Sequence, residues 1–189
     1  MDTIIRTGKP LSALQLYALR RDGLLVQLTE TAWIRAGAVL TPKLRAAALG
    51  APPIHGTAFS HAAAHWVWWG SAQAPALLDV TTLVRRRVRR VPEGTAVWER
   101  SLGGDEYREF GDCRVTEPLK TLFDLVVDCI LPIEDLTQRK RAARSVLAPT
   151  APQQRRALAA LAEDSFRRPG VVEIRRLLRS VDPASHAGL

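Results

Sequence analysis

Thr116-Glu117-Pro118-Leu119-Lys120-Thr121-Leu122-Phe123-Asp124-Leu125-Val126-Val127-Asp128-Cys129-Ile130 carries the strongest periodicity of the 189-residue chain. Thr116 suits a helix N-cap, Pro118 fits a first turn, and Glu117 favours the positive end of the helix dipole. Leu119, Leu122, Phe123, Val126, Val127 and Ile130 then fall at i, i+3, i+4, i+7, i+8 and i+11, which predicts a helix with one apolar face. Burying those six side chains stabilises the fold by roughly 1.5–3 kcal/mol each, so this is the expected central core helix.

Working toward the C-terminus, Pro132 opens a second helical pattern. Ile133, Leu136, Ala143, Val146 and Leu147 lie inward, and Arg139, Lys140, Arg141 and Arg144 largely outward. Ala148-Pro149-Thr150-Ala151-Pro152 is the sharpest turn signal, and helices are predicted over Gln153–Glu163 and Val171–Val181. Toward the N-terminus, Tyr107–Val115, Val91–Arg100 and Leu77–Val84 are strand-like, with Gly103-Gly104 as a turn. They predict a small antiparallel sheet. Ser60 caps a predicted helix over His61–Trp69, and Thr41 with Pro42 starts a short one ending at Leu49. At the start of the chain Pro10 fits a first helical turn, and Leu11, Leu14 and Ala18 recur at helical spacing. Gly23 then stops the helix, and Leu24–Leu28 and Ala32–Arg35 form a hairpin about Thr29-Glu30-Thr31.

Composition limits the function classes. The chain is 47% hydrophobic and 24% charged, which excludes wholesale disorder. A net charge of +8 favours a polyanion or an acidic protein surface as partner. The charge is uneven: +4 over residues 1–56, −1 over 57–130 and +5 over 131–189. Arginine supplies 23 of the 27 basic residues, which fits either a genome-wide bias or recognition of phosphate and carboxylate by guanidinium forks. Two cysteines and an N-terminus without an apolar core point to a reducing, cytoplasmic setting. The uncharged run Ala46–Leu78 is interrupted by Pro52-Pro53, Gly56 and three histidines, so it is a buried segment and no membrane span is expected.

Several groups invite chemistry. Gly70-Ser71 with Asp79-Val80-Thr81 imitates the Mg²⁺-binding start of a nucleotidyltransferase, but Thr81 stands where a second carboxylate is needed. His61 and His65 share a helix face, yet Ala62 occupies the position at which a zinc peptidase carries glutamate. The chain is therefore expected to be non-enzymatic, with no catalytic residue, metal or cofactor. Trp66 and Trp69 are expected to face the core, leaving Trp68 as a partner-contact candidate. Arg85, Arg86, Arg87, Arg89 and Arg90 place five guanidinium groups over six residues, a strip for DNA or an acidic protein. No aromatic residue interleaves with it, so stacking on single-stranded bases is not expected. In the first helix, Ser12, Gln15, Arg20 and Arg21 are the side chains available to a DNA groove.

Three segments carry a family resemblance. They are Arg20-Arg21-Asp22-Gly23-Leu24-Leu25-Val26-Gln27-Leu28 followed by Trp33; Ser60-His61-Ala62-Ala63-Ala64-His65-Trp66 up to Gly70; and Arg114 through Leu125. In this order they resemble the AbiEi-type antitoxins and related actinobacterial transcriptional regulators, over about residues 10–150. The resemblance implies an α+β fold: a reduced N-terminal winged-helix element (helix plus hairpin) at 1–40, then an antitoxin domain at 41–189. That domain would hold the small antiparallel sheet at about 77–115 and helices at about 116–181. Fewer than a dozen residues precede the helix of the winged-helix element and the hairpin lacks arginine at its tip, so either the module is degenerate or Met1 begins late. The implied partner is a cognate nucleotidyltransferase toxin, neutralised by protein–protein contact, with operator DNA as a second partner. The length fits the short antitoxin form, without a nuclease-like C-terminal domain. The alternative is a stand-alone winged-helix regulator without a toxin.

Overall fold

The computed structural model describes residues 4–8, 11–70, 73–165 and 170–182. Pro10 and Ser71, both named above, lie outside them. The chain is α+β and divides into two compact units, residues 1–116 and 117–189.

The first unit opens with β1 (Ile5–Arg6) and α1 (Ala13–Arg21). Helix α1 ends as predicted. Gly23 adopts φ +73°, and the Gly23 and Leu24 amides donate to Arg20 O and Leu19 O at 2.9 Å each. The hairpin follows as β2 (Leu25–Gln27) and β3 (Ala32–Arg35), antiparallel with Val26 opposite Ile34. Strand β1 pairs with the other side of β3, giving the order β1-β3-β2; two residues were too short to show any periodicity. The predicted α1 stripe was misplaced. Leu14 is 81% exposed, whereas Leu16 is fully buried with Leu25 and Trp33, and Leu11 and Leu19 pack around them.

Next come α2 (Pro42–Leu49), β4 (Thr57–Phe59) and α3 (His61–Trp69). Thr41 caps α2 as predicted, accepting from the Leu44 amide at 3.3 Å. Strands β5 (Leu78–Thr82), β6 (Thr95–Trp98), β7 (Tyr107–Phe110) and β8 (Cys113–Thr116) complete a five-stranded sheet of order β6-β5-β4-β8-β7. The expected antiparallel sheet is corrected here. Only β4–β5 and β7–β8 are antiparallel; β5–β6 and β4–β8 are parallel. Segment 83–94 carries the chain back across the sheet, and a parallel return needs about a dozen residues. Tyr107–Val115 is not one strand but two, folded about Gly111.

A core cluster joins the two sheets of the unit. Leu28, Ala32 and Ile34 of the hairpin are buried in the same cluster as Phe59, Val80 and Val115 of the larger sheet and Ala63, Ala64 and Val67 of α3. The three-stranded sheet thus has α1 on one face and this core on the other. The unit ends at Thr116.

The second unit starts with α4 (Pro118–Asp124), which runs into a π-helical turn over Leu125–Ile130. Thr116, predicted as the cap, instead ends β8, paired with Tyr107, and Glu117 takes the N-cap position. The wider π turn, with the Leu131 amide on Val126 O at 3.0 Å, rotates the apolar face. Leu125 becomes buried, Val127 half-buried and Cys129 exposed. Helix α5 (Leu136–Leu147) starts later than Pro132 because Asp135 caps it, accepting from the Thr137 and Gln138 amides at 2.6 and 3.1 Å. Leu136, predicted inward, is exposed. Helices α6 (Pro152–Asp164) and α7 (Val171–Val181) match their predicted spans closely. Within the unit α4 packs on α6, and α7 packs on α5 and α6.

Candidate interaction surfaces

The DNA-groove candidates of α1 have local work. Ser12 and Gln15 form a capping box: the Ser12 amide donates to Gln15 Oε1 at 2.8 Å, and the Gln15 amide donates to Ser12 Oγ at 3.4 Å. The Ser12 hydroxyl also donates to Gln15 Oε1 at 3.0 Å. Arg20 Nη1 reaches Gln27 Oε1 of β2 at 3.0 Å, and Arg21 pairs with Asp22 at 3.3 Å in solvent. Beside the exposed Gln15, Arg20 and Arg21, α1 also presents two large apolar side chains outward. Leu14 is 81% exposed, and Tyr17, 52% exposed, meets Trp33 edge-on at 5.3 Å. Leu14, Tyr17 and Arg21 lie at i, i+3 and i+7, along one face. The hairpin tip does not project freely: the Ala74 amide donates to Leu28 O at 2.7 Å, and Thr29, Glu30 and Thr31 line a concavity with Gln73, Ala74 and Glu93.

The arginine strip lies in the crossover segment between β5 and β6. Arg85, Arg86, Arg87, Arg89 and Arg90 are all exposed. Three bonds pin the segment: the Arg85 amide to Ser101 Oγ at 3.0 Å, the Val88 amide to Glu99 Oε1 at 2.7 Å, and the Arg86 guanidinium to His55 O. Gly56 makes room for Arg86, since a Cβ there would stand 3.3 Å from its Nη2. Among the described residues no acidic side chain forms an ion pair with any of the five.

Trp68 is half-buried and held within the first unit. Its indole donates to Thr116 O at 2.7 Å, Phe110 lies 5.8 Å away, and Arg108 sits over its ring at 5.5 Å. Trp66 is buried, as predicted, and Trp69 is half-buried with His65 at 5.1 Å. His61 is fully buried at φ +46° and stacks on Trp98 at 4.1 Å, with Ser60 Oγ 3.0 Å from its Nδ1. Asp79 and Thr81, two apart on β5, share a sheet face. The buried Asp79 carboxylate accepts from the Trp98 indole at 3.1 Å and from the Ala62 amide in the first turn of α3 at 3.3 Å. It therefore supplies the side-chain acceptor that Ser60 does not offer this helix end.

Arg45 was not anticipated. Its buried guanidinium donates to Leu40 O and Val67 O at 2.7 Å and to Trp68 O and Gly70 O at 2.9 Å, and burial pulls its pKa down. Satisfying carbonyls at the C-terminus of α3, it explains how a cation sits inside an alanine-rich helix. Its sequence carries no sign of this, because the acceptors are main-chain atoms.

No family model matches the chain, and no curated protein matches it. Among solved structures it is similar to the Rv2827c protein from Mycobacterium tuberculosis, at 18% identity and a TM-score of 0.41, over 89% of this chain and 65% of that one.

Proposed function

We propose that the chain is a cytoplasmic, non-enzymatic antitoxin that neutralises a nucleotidyltransferase toxin by protein–protein contact. The observation that carries this reading is the outward face of α1. Leu14 and Tyr17 stand exposed on it beside Arg21, while the polar groups of Ser12 and Gln15, which a base-reading helix would offer to a groove, are turned on each other. An exposed aliphatic and aromatic pair beside Arg21 is the composition of a protein contact. Co-expression with the toxin encoded beside it is expected to restore growth. Leu14→Glu is expected to weaken the complex by about 100-fold, roughly 3 kcal/mol, with an unchanged melting profile. A folded, well-expressed chain that fails to restore growth overturns the reading.

A second reading is a winged-helix regulator acting on operator DNA through Ser12, Gln15, Arg20 and Arg21. Helix α1 followed by the β2–β3 hairpin, in a sheet of order β1-β3-β2, supports it. It predicts retardation of the chain's own promoter DNA that is lost in Arg20→Ala/Arg21→Ala; no retardation at low salt removes it.

A further inference from the structure

We propose that the crossover segment 83–94 is a sequence-independent site for the phosphate backbone of duplex DNA, with Arg85, Arg87, Arg89 and Arg90 as its contacts. Four features carry this. The segment has no regular hydrogen-bonded structure over Arg85–Val88, and Arg85, Arg87, Arg89 and Arg90 are exposed. Arg86 turns back onto His55 O and Val88 is half-buried, which leaves the exposed Arg85 and Arg87 guanidinium groups for an external anion. Residues two apart can lie up to roughly 7 Å from each other along a chain, comparable with neighbouring phosphates on one strand. Arg89 and Arg90 continue the row past a bend.

The row is also held ready. Ser101 Oγ, Glu99 Oε1 and His55 O hold the backbone and the Arg86 fork, so little ordering is left for a ligand to impose. Beside it, Arg85, Arg100 and Ser101 line a concavity of about 490 Å³ together with Glu99, whose Oε1 already accepts from the Val88 amide. Four like charges without an acidic partner among the described residues repel one another, and an external polyanion relieves that repulsion. An acidic protein fits less well. The exposed valines, Val84 and Val91, lie outside the row, and inside it only the half-buried Val88 is apolar, whereas protein contacts centre on apolar anchors.

The inference does not rest on the antitoxin reading, because it is tested on the purified full chain alone. Fluorescence anisotropy with a 30-base-pair duplex of scrambled sequence, from 50 to 200 mM KCl, measures the salt slope. If four phosphates are engaged, affinity falls by about 100-fold across that range. Arg85→Gln/Arg87→Gln/Arg89→Gln/Arg90→Gln, folded by circular dichroism, is expected to lose most of the slope, while Arg20→Gln/Arg21→Gln keeps it. A wild-type slope in the strip variant overturns the assignment. So does loss of the slope in the α1 variant instead, or binding of poly-glutamate without binding of the duplex.

Discussion

The two cysteines show how far a single residue's chemistry depends on its neighbours. Burial beside Phe59, Val80 and Val115 pushes the Cys113 thiol up to about 12, whereas Cys129 is exposed on the π turn. A thiol-directed reagent at pH 8 is therefore expected to label Cys129 in the native chain and both cysteines in urea, read by intact mass. The raised value also sets a direction for stability. Between about pH 8.5 and 12 the unfolded thiol loses its proton while the native one keeps it, so stability falls as pH rises through that window. Cys113→Ala is expected to show a shallower alkaline decline in urea titrations. In sequence, Cys129 sat inside an apolar helix and Cys113 on a half-polar strand. The π-helical turn exposes Cys129 and packing against distant strands buries Cys113, neither of which composition encodes.

At the scale of elements, the punctuation was legible. Gly23, Thr41 and Pro42 stand at the ends they were expected to mark, because capping and φ restriction act over two or three residues, while Ser60 holds the N-cap position of α3 without a side-chain bond. A further test follows at the α1–β2 junction. A Cβ on Gly23 would meet nothing within 4 Å, so Gly23→Ala isolates the cost of holding φ at +73°. That cost is about 1–2 kcal/mol, expected as a lower urea midpoint with an unchanged slope. What the local pattern misjudged was which face of α1 packs. Leu14 and Leu16 are equally apolar, and only the position of Trp33 on β3 selects Leu16.

At the scale of the whole molecule, the net charge of +8 makes its own prediction. Salt should raise the melting temperature by screening self-repulsion, and the four-glutamine strip variant, lacking four of those charges, should show a smaller increment between 10 and 150 mM NaCl. The absence of a helix long and apolar enough to cross a membrane, among the described residues, agrees with the punctuated run at Ala46–Leu78. Length, composition, the α+β character and most helix and strand positions followed from the sequence itself, since they depend on periodicity and on caps that neighbouring residues supply. Strand order, the parallel pairings, the burial of Arg45 and Asp79, and the outward turn of Leu14 did not. Each depends on which distant segment lies alongside, and a residue's own neighbours in the chain exert no force that specifies it.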